Sequence, residues 1–164
     1  MTPTGHRLSL AAAAAVAAVC IVVDQVTKSW ALGALTGREP IHVIGTLQLA
    51  LSFNSGVAFS LGRGSGLSIV PLALVVVVVV VYVARHLPGR LAATAVGLVV
   101  GGAVGNLADR LLRDHDGAVV DFIDLQWWPV FNVADACIVV GGGLLALCSL
   151  RRPPTATPAG ADEA

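Results

Sequence analysis

Long apolar stretches are the feature that most limits what this chain can fold into. The clearest of them contains seven consecutive valines, Val75–Val81. In water these β-branched residues favour strands, but in lipid only a helix or a closed barrel satisfies its own backbone hydrogen bonds. Four stretches are long enough to cross about 30 Å of hydrocarbon as helices, namely Leu8–Leu32, Gly66–Ala84, Leu91–Ala108 and Val130–Leu150. The sequence therefore predicts an all-α membrane protein with four transmembrane helices.

Composition supports this fold class and excludes several others. Of 164 residues, 56% are hydrophobic and 12% are charged, and the mean hydropathy of +0.84 is far above that of soluble domains. The zero formal net charge gives no basic surface for nucleic acid. We expect one membrane domain over residues 1–152 and a disordered, Pro- and Ala-rich cytoplasmic tail over residues 153–164.

The alanine-rich first stretch also has the composition of a cleavable signal peptide. The polar pair Asp24-Gln25 and the three later spans favour a retained helix instead. With four spans, both termini lie on one side of the membrane and the polar motifs emerge on the other. The basic residues divide evenly between the two sides, so the positive-inside rule does not decide the orientation.

The segment between the first two spans, residues 33–65, is too long for a simple turn. Within it Leu47, Leu49, Leu51 and Phe53 alternate with smaller or polar residues. This period of two predicts a strand with one apolar face, as part of a small sheet on the membrane surface.

Two carboxylates carry the strongest indication of chemistry. Asp135 lies inside the last apolar stretch, where an ionised side chain is costly without a partner or a task. Asp121 ends the acidic loop that leads into that stretch, so the chain can bring the two carboxyls together. Such a pair shares a proton, and it can hydrolyse a peptide by activating water and protonating the leaving amine. Asp124 is a rival for Asp121 by spacing alone.

Polar residues around these carboxylates admit plainer interpretations. Asn106 and Asp109, like Asn132 and Asp135, share a helical face at spacing i, i+3. They can form a polar clasp between helices, with Arg110 as the partner of Asp109. Lys28 can anchor the first helix at the headgroups. Asn54, in a loop of small residues, suits either an extended peptide substrate or a plain turn.

Other chemistries have weaker support in the sequence. Cys20, Cys137 and Cys148 lie in apolar runs without a CxxC motif, which indicates inert packing. His115 between Asp114 and Asp116 could hold a cation, but acidic loops of this kind are usually solvated. We expect neither a metal site nor a cofactor.

Five short sequence blocks, taken together and in their order along the chain, resemble the motifs of the lipoprotein signal peptidases, also called signal peptidase II. The blocks are Asp24–Lys28, Phe53–Phe59, Gly105–Arg110, Val120–Ile123 and Phe131–Asp135. The resemblance implies an aspartic endopeptidase of the bacterial inner membrane, which removes signal peptides from diacylglyceryl-modified prolipoproteins by cutting before the lipidated Cys. Membrane lipids are its surroundings, and no obligatory protein partner is implied.

The resemblance also assigns roles to individual residues. It implies that Asp121 and Asp135 are catalytic and that Asp24 and Lys28 form a structural motif. It places both termini in the cytoplasm and the site at the outer leaflet. A small proton-coupled transporter is the alternative, although transporters place the key acid near the midplane and often contain repeats. The residues implied to line or brace the site are Asn54, Asn106, Asp109, Arg110 and Asn132.

Overall fold

The computed structural model describes residues 3–56, 70–84 and 89–150. This part of the chain is mostly helical with one small sheet. The start of the second predicted span, Val57–Phe59 of the Asn54 block and the predicted disordered tail lie outside the described residues. In chain order the elements are α1 (Pro3–Leu35), β1 (Ile41–Ile44), β2 (Leu47–Asn54), α2 (Val70–Ala84), α3 (Arg90–Leu112), β3 (Val119–Asp124) and α4 (Val133–Leu150).

Three helical stretches among the described residues are long and apolar enough to cross a membrane. They are Leu10–Leu35, Arg90–Leu112 and Val133–Leu150, and they overlap the first, third and fourth predicted spans. Helix α2 is described over 15 residues, fewer than the roughly 20 that span a bilayer. The count of four transmembrane helices and the domain limit at residue 152 therefore stay predictions.

Glycines let the central helix α3 approach its neighbours closely. A Cβ added at Gly101 would lie 2.8 Å from the carbonyl oxygen of Ala17 in α1, and one at Gly141 of α4 would lie 2.8 Å from that of Ala95 in α3. Small residues are the usual means of packing helices in lipid, where no hydrophobic drive joins them. Helices α1 and α4 consequently flank α3 and bring their polar residues to it.

The sheet is antiparallel, in the order β1-β2-β3. Strand β2 confirms the predicted strand between α1 and α2. Strand β3 is a correction, because the sequence analysis placed Asp121 in a loop: in the structure Asp121 pairs with Ser52, and Val119 pairs with Asn54. Phe122 packs in a small core with Ala31 and Leu35. The sheet thus sits at the end of α1 and brings β2 next to Asp121.

Candidate active site

Asp121 is held between two asparagines from different elements. Its side chain is 1% exposed. Asn54 Nδ2 donates to its Oδ2 at 3.0 Å, and Asn132 Nδ2 donates to its Oδ1 at 2.7 Å. Burial, and after it the negative charge of Asp135, raise the pKa of Asp121 to about 6, against the opposing effect of the two amides. Asp121 can therefore change protonation state near neutral pH.

Asp135 is the third residue of α4, and Asn132 caps that helix. The Asp135 N–H donates to Asn132 Oδ1 at 2.9 Å, and the Asn132 N–H donates to Asp135 Oδ2 at 3.2 Å. This reciprocal pattern is a capping box. Asn106 of α3 donates from Nδ2 to Asp135 Oδ1 at 2.8 Å. The carboxylate is thus fixed at the positive end of the helix dipole.

Asn132 links the two acidic residues. Its fully buried side chain accepts from the Asp135 backbone through Oδ1 and donates to Asp121 through Nδ2. The backbone of Phe131 also pairs with Ile123, which holds the start of α4 beside β3. The structure therefore brings Asp121 and Asp135 together, as the sequence analysis expected.

Behind this pair lies a buried ion cluster centred on Lys28. Its ammonium contacts Asp24 Oδ2 at 2.9 Å, Asp109 Oδ2 at 3.0 Å and Asn106 Oδ1 at 2.9 Å. Lys28, Asp24 and Asp109 are all fully buried. The interpretation of Lys28 as a headgroup anchor is therefore wrong, because the side chain points into the bundle.

Asp24 and Asp109 each also hold a backbone N–H next to one of the paired acids. Asp24 Oδ1 accepts from Ala134 at 2.9 Å, and Asp109 Oδ2 accepts from Val120 at 3.0 Å. The surrounding cations and N–H donors compensate for the burial of these two carboxylates. The cluster thus fixes the backbone on both sides of the site.

Two members of this cluster were missed by the sequence analysis. Arg113 forms an ion pair with Asp109 at 2.9 Å, and Gln25 Nε2 donates to the same oxygen at 3.0 Å. Spacing i, i+4 from Asp109 would have indicated Arg113. Arg110, the predicted partner of Asp109, donates to the Gly117 carbonyl at 2.8 Å, and its charge also acts on Asp121, Asp109 and Asp135.

Asp124 lies outside this arrangement. It is three positions from Asp121, and an odd separation along a strand places side chains on opposite faces. Gln48 Nε2 donates to it at 2.6 Å and the Gln126 N–H at 2.7 Å. These hydrogen bonds lower the pKa of Asp124, so it stays ionised at neutral pH and does not resemble a shared-proton acid.

His115 has a packing role in the structure. Its ring contacts Phe53, with the two centroids 4.7 Å apart. Within residues 3–56, 70–84 and 89–150, no group of three or more His, Cys, Asp or Glu side chains could hold a metal ion.

A buried acid and a half-buried one meet at the start of a helix that is long and apolar enough to cross a membrane, and the pKa of the buried one, Asp121, is near neutrality. This arrangement is typical of membrane-embedded peptidases of the aspartic type. The family model for signal peptidase (SPase) II matches residues 16–151, and the chain belongs to this family. The family assignment confirms the resemblance and favours the peptidase over the transporter. It also makes the chain a bacterial membrane protein.

Named relatives and solved structures agree with this assignment. A lipoprotein signal peptidase of Mycolicibacterium smegmatis is 43% identical over 139 residues, 82% of this chain and 59% of that protein. One of Syntrophomonas wolfei is 43% identical over 132 residues, 79% of this chain and 87% of that protein. A bacterial membrane enzyme solved by the in meso method at 1.9 Å superposes with a TM-score of 0.73 and 26% identity, covering 86% of this chain and 94% of that one.

Proposed function

We propose that this chain is an endopeptidase that cleaves diacylglyceryl-modified prolipoproteins just before the lipidated Cys, with Asp121 and Asp135 as its catalytic pair. The observation that carries the proposal is the position of Asn132, which hydrogen-bonds both acidic residues in a buried site. Family membership supports the reaction class. The relatives named lipoprotein signal peptidases support the choice of substrate.

Charge balance favours one shared proton on the pair. The ion cluster is neutral by itself, because Lys28 and Arg113 offset Asp24 and Asp109. Arg110 is the cation whose charge acts on both Asp121 and Asp135. Unbalanced charge is costly in a low-dielectric site. With one proton, the pair carries a single negative charge that Arg110 offsets.

This protonation state suits peptide hydrolysis. The ionised carboxylate takes a proton from water as the water oxygen bonds to the scissile carbonyl carbon. The protonated carboxyl then donates its proton to the leaving amine as the C–N bond breaks. Each aspartate can return to its starting state by exchanging a proton with solvent, so the cycle needs no metal, cofactor or covalent intermediate.

We further propose that the site opens at the outer leaflet and that both termini are cytoplasmic. The polar ends of α1 and α3 and the start of α4 meet at one edge of the bundle, beside the sheet. Such an edge admits water from one side and a lipid-anchored peptide from the other. Asn54, on β2 next to Asp121, would contact the extended peptide.

Two forms of one precursor test the proposed function. The purified chain should release the signal peptide from diacylglyceryl-modified prolipoprotein, measured by mass spectrometry. The unmodified precursor should be cleaved far more slowly, because each buried acyl methylene contributes up to about 0.8 kcal/mol. Equal cleavage of both forms would leave only a generic membrane protease. No cleavage of either form, with proton-driven uptake in proteoliposomes, would support the transporter instead.

A further inference from the structure

The ammonium of Lys28 is separated from the carboxyl pair by a single amide. Lys28 donates to Asn106 Oδ1 at 2.9 Å, and Asn106 Nδ2 donates to Asp135 Oδ1 at 2.8 Å. The same Asn106 oxygen also accepts from Asn132 Nδ2 at 3.1 Å. A chain of hydrogen bonds therefore runs from the buried ion cluster to the acids.

We propose that Lys28 is a positioning residue for the catalytic pair, because it fixes the orientation of the Asn106 amide. This inference rests on the proposed function and assigns Lys28 a part in the reaction in addition to its structural one.

The chemistry of the two groups explains the fixed orientation. An ammonium has three donors and no acceptor, and all three donors of Lys28 are used. If the Asn106 amide turned over, its NH2 group would face the ammonium and its oxygen would face the Asp135 carboxylate. Both contacts would then be repulsive. Lys28 thus keeps the NH2 group of Asn106 directed at Asp135.

The orientation of the Asn106 amide also determines the orientation of the Asn132 amide. Because the Asn106 oxygen faces inward, it accepts from Asn132 Nδ2, whose other strong bond is to Asp121. Asn132 Oδ1 is then left to accept from the Asp135 N–H. One lysine therefore sets the direction of two of the three amides that contact the acids, Asn106 and Asn132.

The charged residues nearest the pair lie on α1 and α3. Asp24 and Lys28 lie on α1, Asp109 and Arg110 on α3, while β2 carries no charged residue. The positive charge of Lys28 contributes to lowering the pKa of Asp121, against the larger effect of burial. Loss of Lys28 should therefore let the pair take up its second proton at a higher pH.

A charge-neutral variant tests the proposal without leaving a buried acid unpaired. In Asp24→Asn/Lys28→Met the cluster keeps its net charge, and the amide introduced at position 24 can still accept from the Ala134 N–H. We expect kcat to fall roughly tenfold to a hundredfold with KM little changed, and the acid limb of the pH–rate profile to move to higher pH. The matched control is Arg113→Lys, which perturbs the same cluster, keeps a cation beside Asp109 and leaves the hydrogen bond from Lys28 to Asn106 in place.

The control should keep the acid limb of the wild type and a kcat within a few-fold. The proposal is overturned if the folded double variant keeps both kcat and the acid limb. It is equally overturned if both variants lose activity in proportion to their thermal midpoints with an unmoved acid limb, since that pattern indicates a structural role alone.

A second variant decides the matter if the double variant does not fold. Asn106→Leu adds no charge and removes both the acceptor for Lys28 and the donor to Asp135. A lowered kcat at a near-native thermal midpoint supports the role of the hydrogen-bond chain from Lys28 to Asp135, and an unchanged kcat and pH profile refutes it. In every arm the wild type must cleave the lipidated precursor; its failure to do so would instead refute the proposed function.

Discussion

At the scale of the residue, amides rather than cations make the direct side-chain contacts to the acid pair within the described part of the chain. Asn54 and Asn132 donate to Asp121, and Asn106 donates to Asp135. An amide orients a carboxylate without neutralising it, whereas a directly paired cation would lower its pKa strongly. Lys28 contacts the pair only through the side-chain amide of Asn106. This arrangement leaves the pKa of Asp121 near neutrality.

The assignment of the pair predicts the effect of single amide substitutions. Asp121→Asn and Asp135→Asn should each abolish cleavage of lipidated prolipoprotein, because an amide keeps the shape but cannot exchange the proton. Asp124→Asn, on the other face of the strand, is the matched control and should retain most activity. Thermal melts of the three variants would show that they are folded. An inactive Asp124→Asn beside an active Asp121→Asn would make the assignment wrong.

The pKa of Asp121 also predicts a pH dependence of stability. Its folded-state pKa of about 6 is above the ordinary value of 3.8. Its contribution to stability is therefore fully present below the ordinary value and is lost as the pH rises through about 6. In detergent, lowering the pH from 7.5 to 4.5 should raise the thermal midpoint of the wild type by a few degrees relative to that of Asp121→Asn. A constant difference between the two midpoints would contradict the raised pKa.

At the scale of the element, helix α3 packs against its neighbours through a face lined by glycines. Gly101 packs on α1, and Gly105 lies against Asp24, so that an added Cβ would be 2.6 Å from Asp24 Oδ2. Close approach of the backbones is what allows Lys28 of α1 to reach Asn106 and Asp109 of α3. The glycines are thus required for the site as well as for packing.

Two glycines offer a matched test of this packing. Gly101→Ala should lower the thermal midpoint, since overpacking costs about 1–3 kcal/mol and its Cβ would lie 2.8 Å from both Ala17 O and Cys20 Cβ. Gly143→Ala in α4 is the control, because nothing lies within 4 Å of the added Cβ. That control should be neutral or slightly stabilising, as Ala favours helix more than Gly. Equal midpoints for the two variants would mean that α1 and α3 are not closely packed.

The elements differ in how well their sequences predict them. Strand β2 alternates between apolar and polar residues and was predicted from that pattern. Strand β3 has four consecutive buried residues, Val119–Phe122, and β1 has four consecutive exposed ones, so neither shows a period of two. Their existence depends on pairing with β2, which local sequence does not reveal. Helix α4 begins at Val133 rather than at residue 130, because Asn132 caps it.

The residues of the candidate site also differ in how far the sequence alone indicates them. Asp135 could be singled out because acids are rare and costly in apolar stretches. Asp121 was chosen because it ends the acidic loop that leads into that stretch, and spacing alone left Asp124 as its rival. The partners of Lys28 on α3 could not be derived from spacing alone, since Asp109 and Asn106 lie about eighty positions away along the chain and depend on helix packing. Long-range contacts of this kind arise from the tertiary fold rather than from periodicity.

At the scale of the whole molecule, the bundle concentrates its polar groups at one end. The C-terminal halves of α1 and α3 and the start of α4 contribute them, and the sheet covers this end. The other end of α3, at Arg90, is far from these groups along a helix of 23 residues. The molecule is therefore polarised along the membrane normal, and its orientation decides which compartment supplies the substrate.

The proposed orientation can be tested by labelling the two ends of α3. In a background with Cys20, Cys137 and Cys148 replaced by Ala, single cysteines would be placed at Asp114 and at Arg90, which are both exposed. Asp114 follows the end of α3 next to the site, and Arg90 begins the helix. In right-side-out membrane vesicles, an impermeant maleimide should label Asp114→Cys, whereas Arg90→Cys should react only in inverted vesicles. Activity of both variants on lipidated prolipoprotein would show that the labelled protein is native. The reverse labelling pattern would place the carboxyl pair at the cytoplasmic face, where an exported precursor could not reach it.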